Sequence, residues 1–231
     1  MYLNAESQAI LNQIKWNCEI IAFELNKIGI NALAWNNTSC LEFLELPIEA
    51  QELKLKILQN YCDCIEKLSA SSEKFTELNF LKYFFQISGI KLPRQIESIL
   101  NPSIVIEIHN LEGTQIFRNF EAFRYISFTI LELSCFHWNH LYLRNTAVEA
   151  KLFESISMVL NSTNPDQIFN PEIPIHEVVE KKSNPMGVKL EFSKCVGLRG
   201  NSNKIEFILS TKFCEKINAE KENLHSLFEL R

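Results

Sequence analysis

Apolar side chains recur every three or four residues through the first third of the chain and every second residue in much of its last third. In the opening segment Ile10, Ile14, Cys18, Ile21, Leu25 and Ile28 fall on one helix face, and Gly29 just beyond them suits a C-cap. Residues 30–46 are apolar without a clean period. Pro47 stands where a helix can begin, and after it Ala50, Leu53, Ile57, Tyr61, Cys64 and Leu68 repeat the helical rhythm. Ser71 and Ser72, with Glu73, predict the start of a third helix that carries Phe75, Leu78 and Leu81 and ends near Gly89. Residues 1–90 therefore read as a helical bundle or dimerisation region.

Near residue 90 the period changes. Residues 103–108 are rich in β-branched types, 109–113 read as a turn, and 114–117 resume an extended pattern. This predicts a short hairpin with Gly113 at the left-handed position. Residues 119–160 read as short helices followed by a longer one, whose apolar face is Val148, Leu152, Ile156, Val159 and Leu160. Residues 161–175 contain three Pro and form a loop. Two strands follow, in which Val188, Leu190 and Phe192, then Ile205, Phe207 and Leu209, alternate with polar neighbours. Leu190, Phe192, Phe207 and Leu209 are expected on one side of a sheet, against the helices of 119–160. Residues 215–231 read as a terminal helix, with Ile217, Leu224 and Arg231 seven apart and Leu227 beside them. Its alternatives are packing within the subunit and dimerisation. The fold class is α+β, a small antiparallel sheet with flanking helices preceded by an α-helical region.

Charge and cysteine usage narrow the function classes. The chain of 231 residues has a formal net charge of -5, and residues 1–90 hold seven Lys, no Arg and eleven acidic residues. A surface of that sign does not grip phosphates, so no direct nucleic-acid binding is expected. The apolar stretches are far short of a membrane span. The opening MYLNAESQ lacks a basic region followed by an apolar run, so no secretory leader is expected. Seven irregularly spaced Cys read as reduced thiols in a cytoplasmic protein.

The chain carries none of the familiar catalytic signatures for nucleotide, metallopeptidase or serine-hydrolase chemistry. Cys62 and Cys64 have no second pair to complete a zinc site. His137 and His140 are three apart and flank Trp138, sharing about one helix face without an evident third ligand. His109 is expected in a turn facing solvent, and His225 on the surface of the terminal helix. His176 with Glu177 forms the dipeptide of a phosphoacceptor helix, but it follows Pro174 and precedes strands, which is the wrong setting.

In this order of elements, residues 95–220 resemble a PAS domain, the sensor module of signalling proteins. The hairpin with Gly113 and Ile116, followed by Asn119 and Ala122, is similar to the family's opening. The stretch FTILELSCFHWNHLYLRN resembles the short helices before its long connecting helix. The last strand and terminal helix resemble its end, although Lys212 and Cys214 replace the usual acidic residue and Thr. The resemblance divides the chain into a helical region (1–90), a PAS-like sensor domain (91–214) and a signalling or packing helix (215–231). It implies a sensory or regulatory protein acting through ligand- or partner-dependent interactions with a signalling partner; apart from the resemblance, a homodimer is expected through the apolar faces of the N-terminal helices, with Leu224 and Leu227 contributing. It also implies a pocket, for which Cys135, His137, Trp138 and His140 are the candidates. The family's pockets hold haem, flavin, small acids or nothing. Cys135 lacks the Asn, Arg and Gln of the blue-light flavin motif, and no His is clearly an axial haem ligand. The expectation is no cofactor, with haem and flavin the two to test. The alternative is a small α+β enzyme or structural scaffold.

Overall fold

A computed structural model describes residues 5–71, 76–99, 101, 103–164, 167–200, 202 and 204–217. The helices in chain order are α1 (Ala5–Lys27), α2 (Asn37–Leu44), α3 (Ile48–Ala70), α4 (Glu77–Ser88), α5 (Phe120–Phe123), α6 (Ile130–Cys135), α7 (Trp138–Leu141) and α8 (Thr146–Leu160). The strands are β1 (Val105–Asn110), β2 (Gln115–Arg118), β3 (Tyr142–Leu143), β4 (Ile168–Phe169), β5 (His176–Glu180), β6 (Gly187–Arg199) and β7 (Ile205–Ile217). The chain folds as two compact units. One comprises Met1–Gly89 with Phe128–Phe136, the other Ile90–Ser127 with His137–Arg231.

The first unit is helical. Ile10, Ile14, Cys18, Ile21 and Leu25 of α1 are buried as their spacing requires. Gly29 adopts a left-handed φ of 77°. Its N–H bonds Asn26 O and the next N–H, of Ile30, bonds Leu25 O, which closes the helix in a Schellman arrangement. α2 forms in the stretch that has no clean period because a capping box opens it. Asn36 Oδ1 accepts from Ser39 N at 2.7 Å and Ser39 Oγ accepts from Asn36 N at 3.0 Å. α3 begins behind Pro47. Tyr61, Cys64 and Leu68 of the expected face are buried, with Gln51, Leu58, Cys62 and Ile65 buried beside them, whereas Leu53 is exposed. Gln51 can be buried because its Nε2 donates to Leu46 O. α4 starts at a Thr76 cap, later than expected, and buries Phe80, Leu81, Phe84 and Phe85. Ser72 and Phe75 lie outside the described residues. Tyr61 and Phe80 meet edge to face, 5.4 Å between ring centroids, where α3 packs on α4.

α6 corrects the expectation that all helices of 119–160 flank the sheet. Its first amides, Ile130 N and Leu131 N, donate to Leu33 O and Ala34 O. Asn36 Nδ2 donates to Glu132, and α6 packs on α1 and α2. Helix N-termini leave amides without intrahelical partners; here another segment of the same unit accepts from them.

The second unit is built on an antiparallel sheet in the order β2-β1-β7-β6-β5-β3, with β4 paired to the part of β6 that β5 does not reach. The β1–β2 hairpin turns at Gly113, φ 79°, with Asn110 Oδ1 accepting from Glu112 N and Thr114 N. β6 and β7 pair along nearly their whole length, interrupted by a bulge between Phe192 and Lys194. The amide of Lys194 is satisfied by Thr211 Oγ1 at 3.0 Å.

The bulge overturns the one-sided reading of the two long strands. One extra residue on β6 reverses the alternation beyond it. Leu190 and Phe192 pair with Cys214 and Lys212, whereas Val196 and Leu198 pair with Leu209 and Phe207. Leu190 and Phe192 therefore share one face, and Leu209 and Phe207 the other. α8 lies on the first face: Ile156 and Val159 pack with Cys195 and Ile208, and Val148 and Leu152 with Ile173 and Phe192. On the second face Ile106, Ile108, Phe117, Val196, Leu198 and Leu209 are all buried.

A helix from residue 215 is also corrected. β7 runs on to Ile217, with Glu215 opposite Lys189 and Ile217 opposite Gly187. Residues 218–231, including Leu224, His225 and Leu227, lie outside the described residues. Among the described residues no helix is long and apolar enough to cross a membrane.

Candidate functional site

Alternation along β1 places Val105, Glu107 and His109 on the α8 face of the sheet, opposite Lys212, Ser210 and Ile208 of β7. Glu107 forms an ion pair with Lys212, both side chains largely buried. Arg118 enters the same charge cluster from β2, where it pairs with Glu107 in register. A cavity of about 30 Å³ opens beside the pair. Val178, Val188 and Leu190 form its apolar floor, Tyr125 and Ile126 close it after α5, and Tyr142, Arg144 and Cys214 complete the wall. That volume is on the scale of one water molecule.

Two buried polar anchors hold these walls. Asn119 follows β2 and substitutes for strand pairing: its Oδ1 accepts from Ile106 N at 2.9 Å and its Nδ2 donates to Ile104 O at 2.8 Å. Ala122, one turn on, lines the cavity. Glu180 is 1% exposed, and its carboxylate accepts from Ser127 N at 2.7 Å, from Met186 N at 2.9 Å and from Ser127 Oγ. It ties the segment after α5 to the β5–β6 turn and stands opposite Tyr142 in the β3–β5 pair.

Burial and charge set the protonation states. Burial alone would raise the Glu107 carboxyl, but Lys212, Arg118 and His109 outweigh it and hold the group well below the usual carboxylate range. His109 is pushed down to about 4, first by burial and then by Lys212, Arg118 and His137 against the opposing pull of Glu107. Burial raises the Tyr142 phenol and brings the Cys214 thiol up to about 12. It also lowers Arg144 and His176. His176 stacks on Phe192, 6.0 Å between centroids and 8° from parallel, with Nδ1 at 2.9 Å from Pro174 O. The contact assigns the Nδ1 proton to that carbonyl and leaves Nε2 as an acceptor.

Of the four candidates from the sequence, Cys135 belongs to the first unit and His137, Trp138 and His140 to the second. Cys135 ends α6 in the first unit, where Cys18, Cys40, Glu42 and Lys54 are within electrostatic reach. Burial holds Cys62 and Cys135 up to about 12 and Cys18 well above its ordinary value, so these thiols are protonated and behave as small apolar groups. His137 lies against Gly113 in the second unit; a Cβ there would run into its imidazole. His140 is exposed, its ring 6.2 Å from that of His137. Trp138 opens α7 between them. Among the described residues no group of three or more His, Cys, Asp or Glu is placed to hold a metal. His109, expected in a turn facing solvent, belongs to β1 and has its Nε2 sealed from solvent. His176 and Glu177 are consecutive on a strand, so no helix presents them together.

Sequence reasoning missed Glu107, His109, Arg144, His176 and Lys212 as a set. The one local signal was the alternation in Val105–His109, which also describes a solvent-facing strand. No protein-family model matches the chain, and no curated protein matches it.

Proposed function

We propose that the chain is a cytoplasmic sensory or regulatory protein whose second unit is PAS-like and responds to a ligand or partner at the cavity between the sheet and the segment that follows α5. The observation that carries this reading is the antiparallel path β2-β1-β7-β6-β5 with α8 across one face and a charged cavity on that face. Three residues on which the resemblance rests also have defined local roles. Gly113 makes the left-handed turn, Asn119 holds β1, and Ala122 lines the cavity.

The protonation states favour binding over catalysis. An effective general acid or base titrates near the working pH. Glu107 is depressed and stays ionised at neutral pH, whereas Tyr142 and Cys214 are raised and stay protonated. None of the three is tuned to exchange a proton there. Ligand binding would alter the packing of α8 on β6 and β7, and such a signal requires different affinity for two packing states.

The reading includes a homodimer and a signalling partner. The α1 face that periodicity singles out is buried within the chain. The surface proposed for a second copy is therefore the exposed Trp16 and Phe23, seven residues apart on α1. The test compares freshly purified protein with protein denatured, stripped by dialysis and refolded. Release of a small molecule, with a change in amide-exchange protection over α8 and β1, supports the sensory reading. Identical protection in both samples, with no released molecule, overturns it. A native mass of 26.8 kDa at tens of micromolar overturns the dimer.

A further inference from the structure

We infer that Cys40 and Cys135 are a redox-active pair, which a peroxide closes into a reversible disulfide that clamps α6 to α2. The inference is independent of the cavity and of what binds there. Its first ground is register. Asn36, the N-cap of α2, accepts from Ser39 N and donates from Nδ2 to Glu132 Oε1 at 3.1 Å. Glu132 is itself part of the capping box of α6, accepting from Thr129 N and donating its amide to Thr129 Oγ1. The two helix starts are therefore joined by one side-chain bond. Just before it, Ile130 N bonds Leu33 O and Leu131 N bonds Ala34 O. Both segments advance in the same sense through these contacts, so the packed helices α2 and α6 run side by side. Cys40 stands four residues beyond Asn36, and Cys135 three beyond Glu132. Either spacing returns to the same helix face one turn on. The two sulfurs thus follow the Asn36–Glu132 bond on facing sides, and the Cys40 thiol acts electrostatically on Cys135.

The second ground is access. None of the seven cysteines is in a disulfide; Cys40, Cys135 and Cys214 are half-buried and the other four buried. Cys214 belongs to the second unit. In the first unit a small oxidant therefore meets Cys40 and Cys135, while Cys18, which lies within electrostatic reach of both, is sealed.

The chemistry follows from the neighbours. Burial raises both thiols, so little thiolate is present at neutral pH. Lys15 favours the thiolate at Cys40. At Cys135 Lys54 favours it, and Glu42 and Glu132 oppose it. Cys40 is therefore the attacking group. Its thiolate takes one oxygen of hydrogen peroxide, the O–O bond breaks, and the departing hydroxide is protonated to water. Cys135 then attacks the sulfur of the Cys40 sulfenic acid. The S–S bond forms, the S–O bond breaks, and the second hydroxide leaves as water with the Cys135 proton. Two thiols and one peroxide give one disulfide and two waters, the two electrons passing from sulfur to oxygen. The product pins Phe128–Phe136, the segment beyond residue 90 that folds with the first unit. In a reducing compartment such a bond is transient and serves regulation.

The test uses the full chain, reduced, freed of reductant and exposed to a small molar excess of hydrogen peroxide. Alkylation and mass spectrometry of the whole chain should show two of the seven thiols protected. The mass should fall by about 2 Da, and a reducible crosslink should join the Cys40 and Cys135 peptides. The rate should rise roughly tenfold per pH unit from 7 to about 9, as the thiolate fraction does. Amide exchange at Ile130 and Leu131 should slow several-fold in the oxidised chain. Cys18→Ser should leave the crosslink intact, and Cys40→Ser should abolish it. Seven alkylatable thiols after peroxide in the wild-type chain overturn the inference and need no variant. So does a crosslink through Cys18, oxygen added to Cys40 without a crosslink, or a rate that does not change with pH. A Cys40–Cys135 crosslink with unchanged exchange at Ile130 and Leu131 overturns the clamp.

Discussion

Glu107 and Lys212 form an ion pair across the neighbouring strands β1 and β7, beside a cavity with room for about one water. A buried pair of this kind contributes little net stability as a pair, yet losing one partner leaves an uncompensated charge. Lys212→Met is expected to cost about 3–5 kcal/mol in chemical denaturation. Glu107→Gln combined with Lys212→Met should recover most of that. A double variant no more stable than Lys212→Met would show that the two charges are not coupled.

The same cluster makes stability depend on pH. His109 titrates near 4 in the folded chain, below the roughly 6.5 of an unfolded His. Between those values the unfolded chain binds the extra proton, so stability falls as pH drops from about 6.5 to about 4 and is fully present above that window. Glu107 works in the same direction at lower pH. Its folded carboxyl is depressed, so its contribution is present above the unfolded value of about 4.3 and is lost as pH falls toward the folded one. Urea midpoints measured between pH 7 and 4 should decline, and His109→Asn should flatten the slope. An equal slope in that variant would assign the effect to another group.

Asn119 carries two backbone bonds that no neighbouring strand provides. Asn119→Leu strands Ile106 N and Ile104 O in the interior and should cost more than about 2 kcal/mol. Asn119→Asp keeps the acceptor for Ile106 N but loses the donor to Ile104 O, so it should not rescue the loss. Denaturation of both variants measures this, and a cost below about 1 kcal/mol for the Leu variant would remove Asn119 as an anchor of the cavity wall.

Gly113 combines a left-handed backbone with close approach to the His137 ring. Gly113→Ala should destabilise by about 1–2 kcal/mol from conformation alone, with an added steric cost. His137→Ala in the same chain should relieve only the steric part. A double-mutant cycle with a coupling energy near zero would contradict the contact.

The β6 bulge depends on Thr211, which is fully buried and accepts from Lys194 N. Thr211→Val keeps the shape and removes the acceptor, for an expected cost of about 1–3 kcal/mol. A neutral substitution would mean that the bulge holds without it.

Local chemistry alone made several elements legible. Gly29, Gly89 and Gly113 read as left-handed stops and turns because only Gly takes that backbone without strain, and all three have positive φ. The α1 face from Ile10 to Leu25 read correctly because a three-four spacing projects to one side of a helix wherever that helix packs, whereas Ile28 lies beyond the helix end and is exposed. The extended patterns in residues 103–108, 188–192 and 205–210 fall on strands for the same reason, although β1 runs two residues into the expected turn. The rest depended on contacts between residues distant in sequence. α6 reads like its neighbours in residues 119–160, yet it joins the first unit because Leu33 and Ala34 accept its leading amides. Phe192 and Phe207 look equivalent in alternation, but the bulge at residue 193 separates them onto opposite faces. Alternation in β1 put Glu107 and His109 on a common side without indicating whether water or protein lay there. Tertiary packing made that side an interior, bringing Lys212 of β7 and Arg144, from the segment between β3 and α8, to one cavity, with Arg118 of β2 opposite Glu107. A one-dimensional pattern specifies which side chains share a face; only the packed chain specifies what that face meets, because burial is a property of neighbours that sequence spacing does not contain.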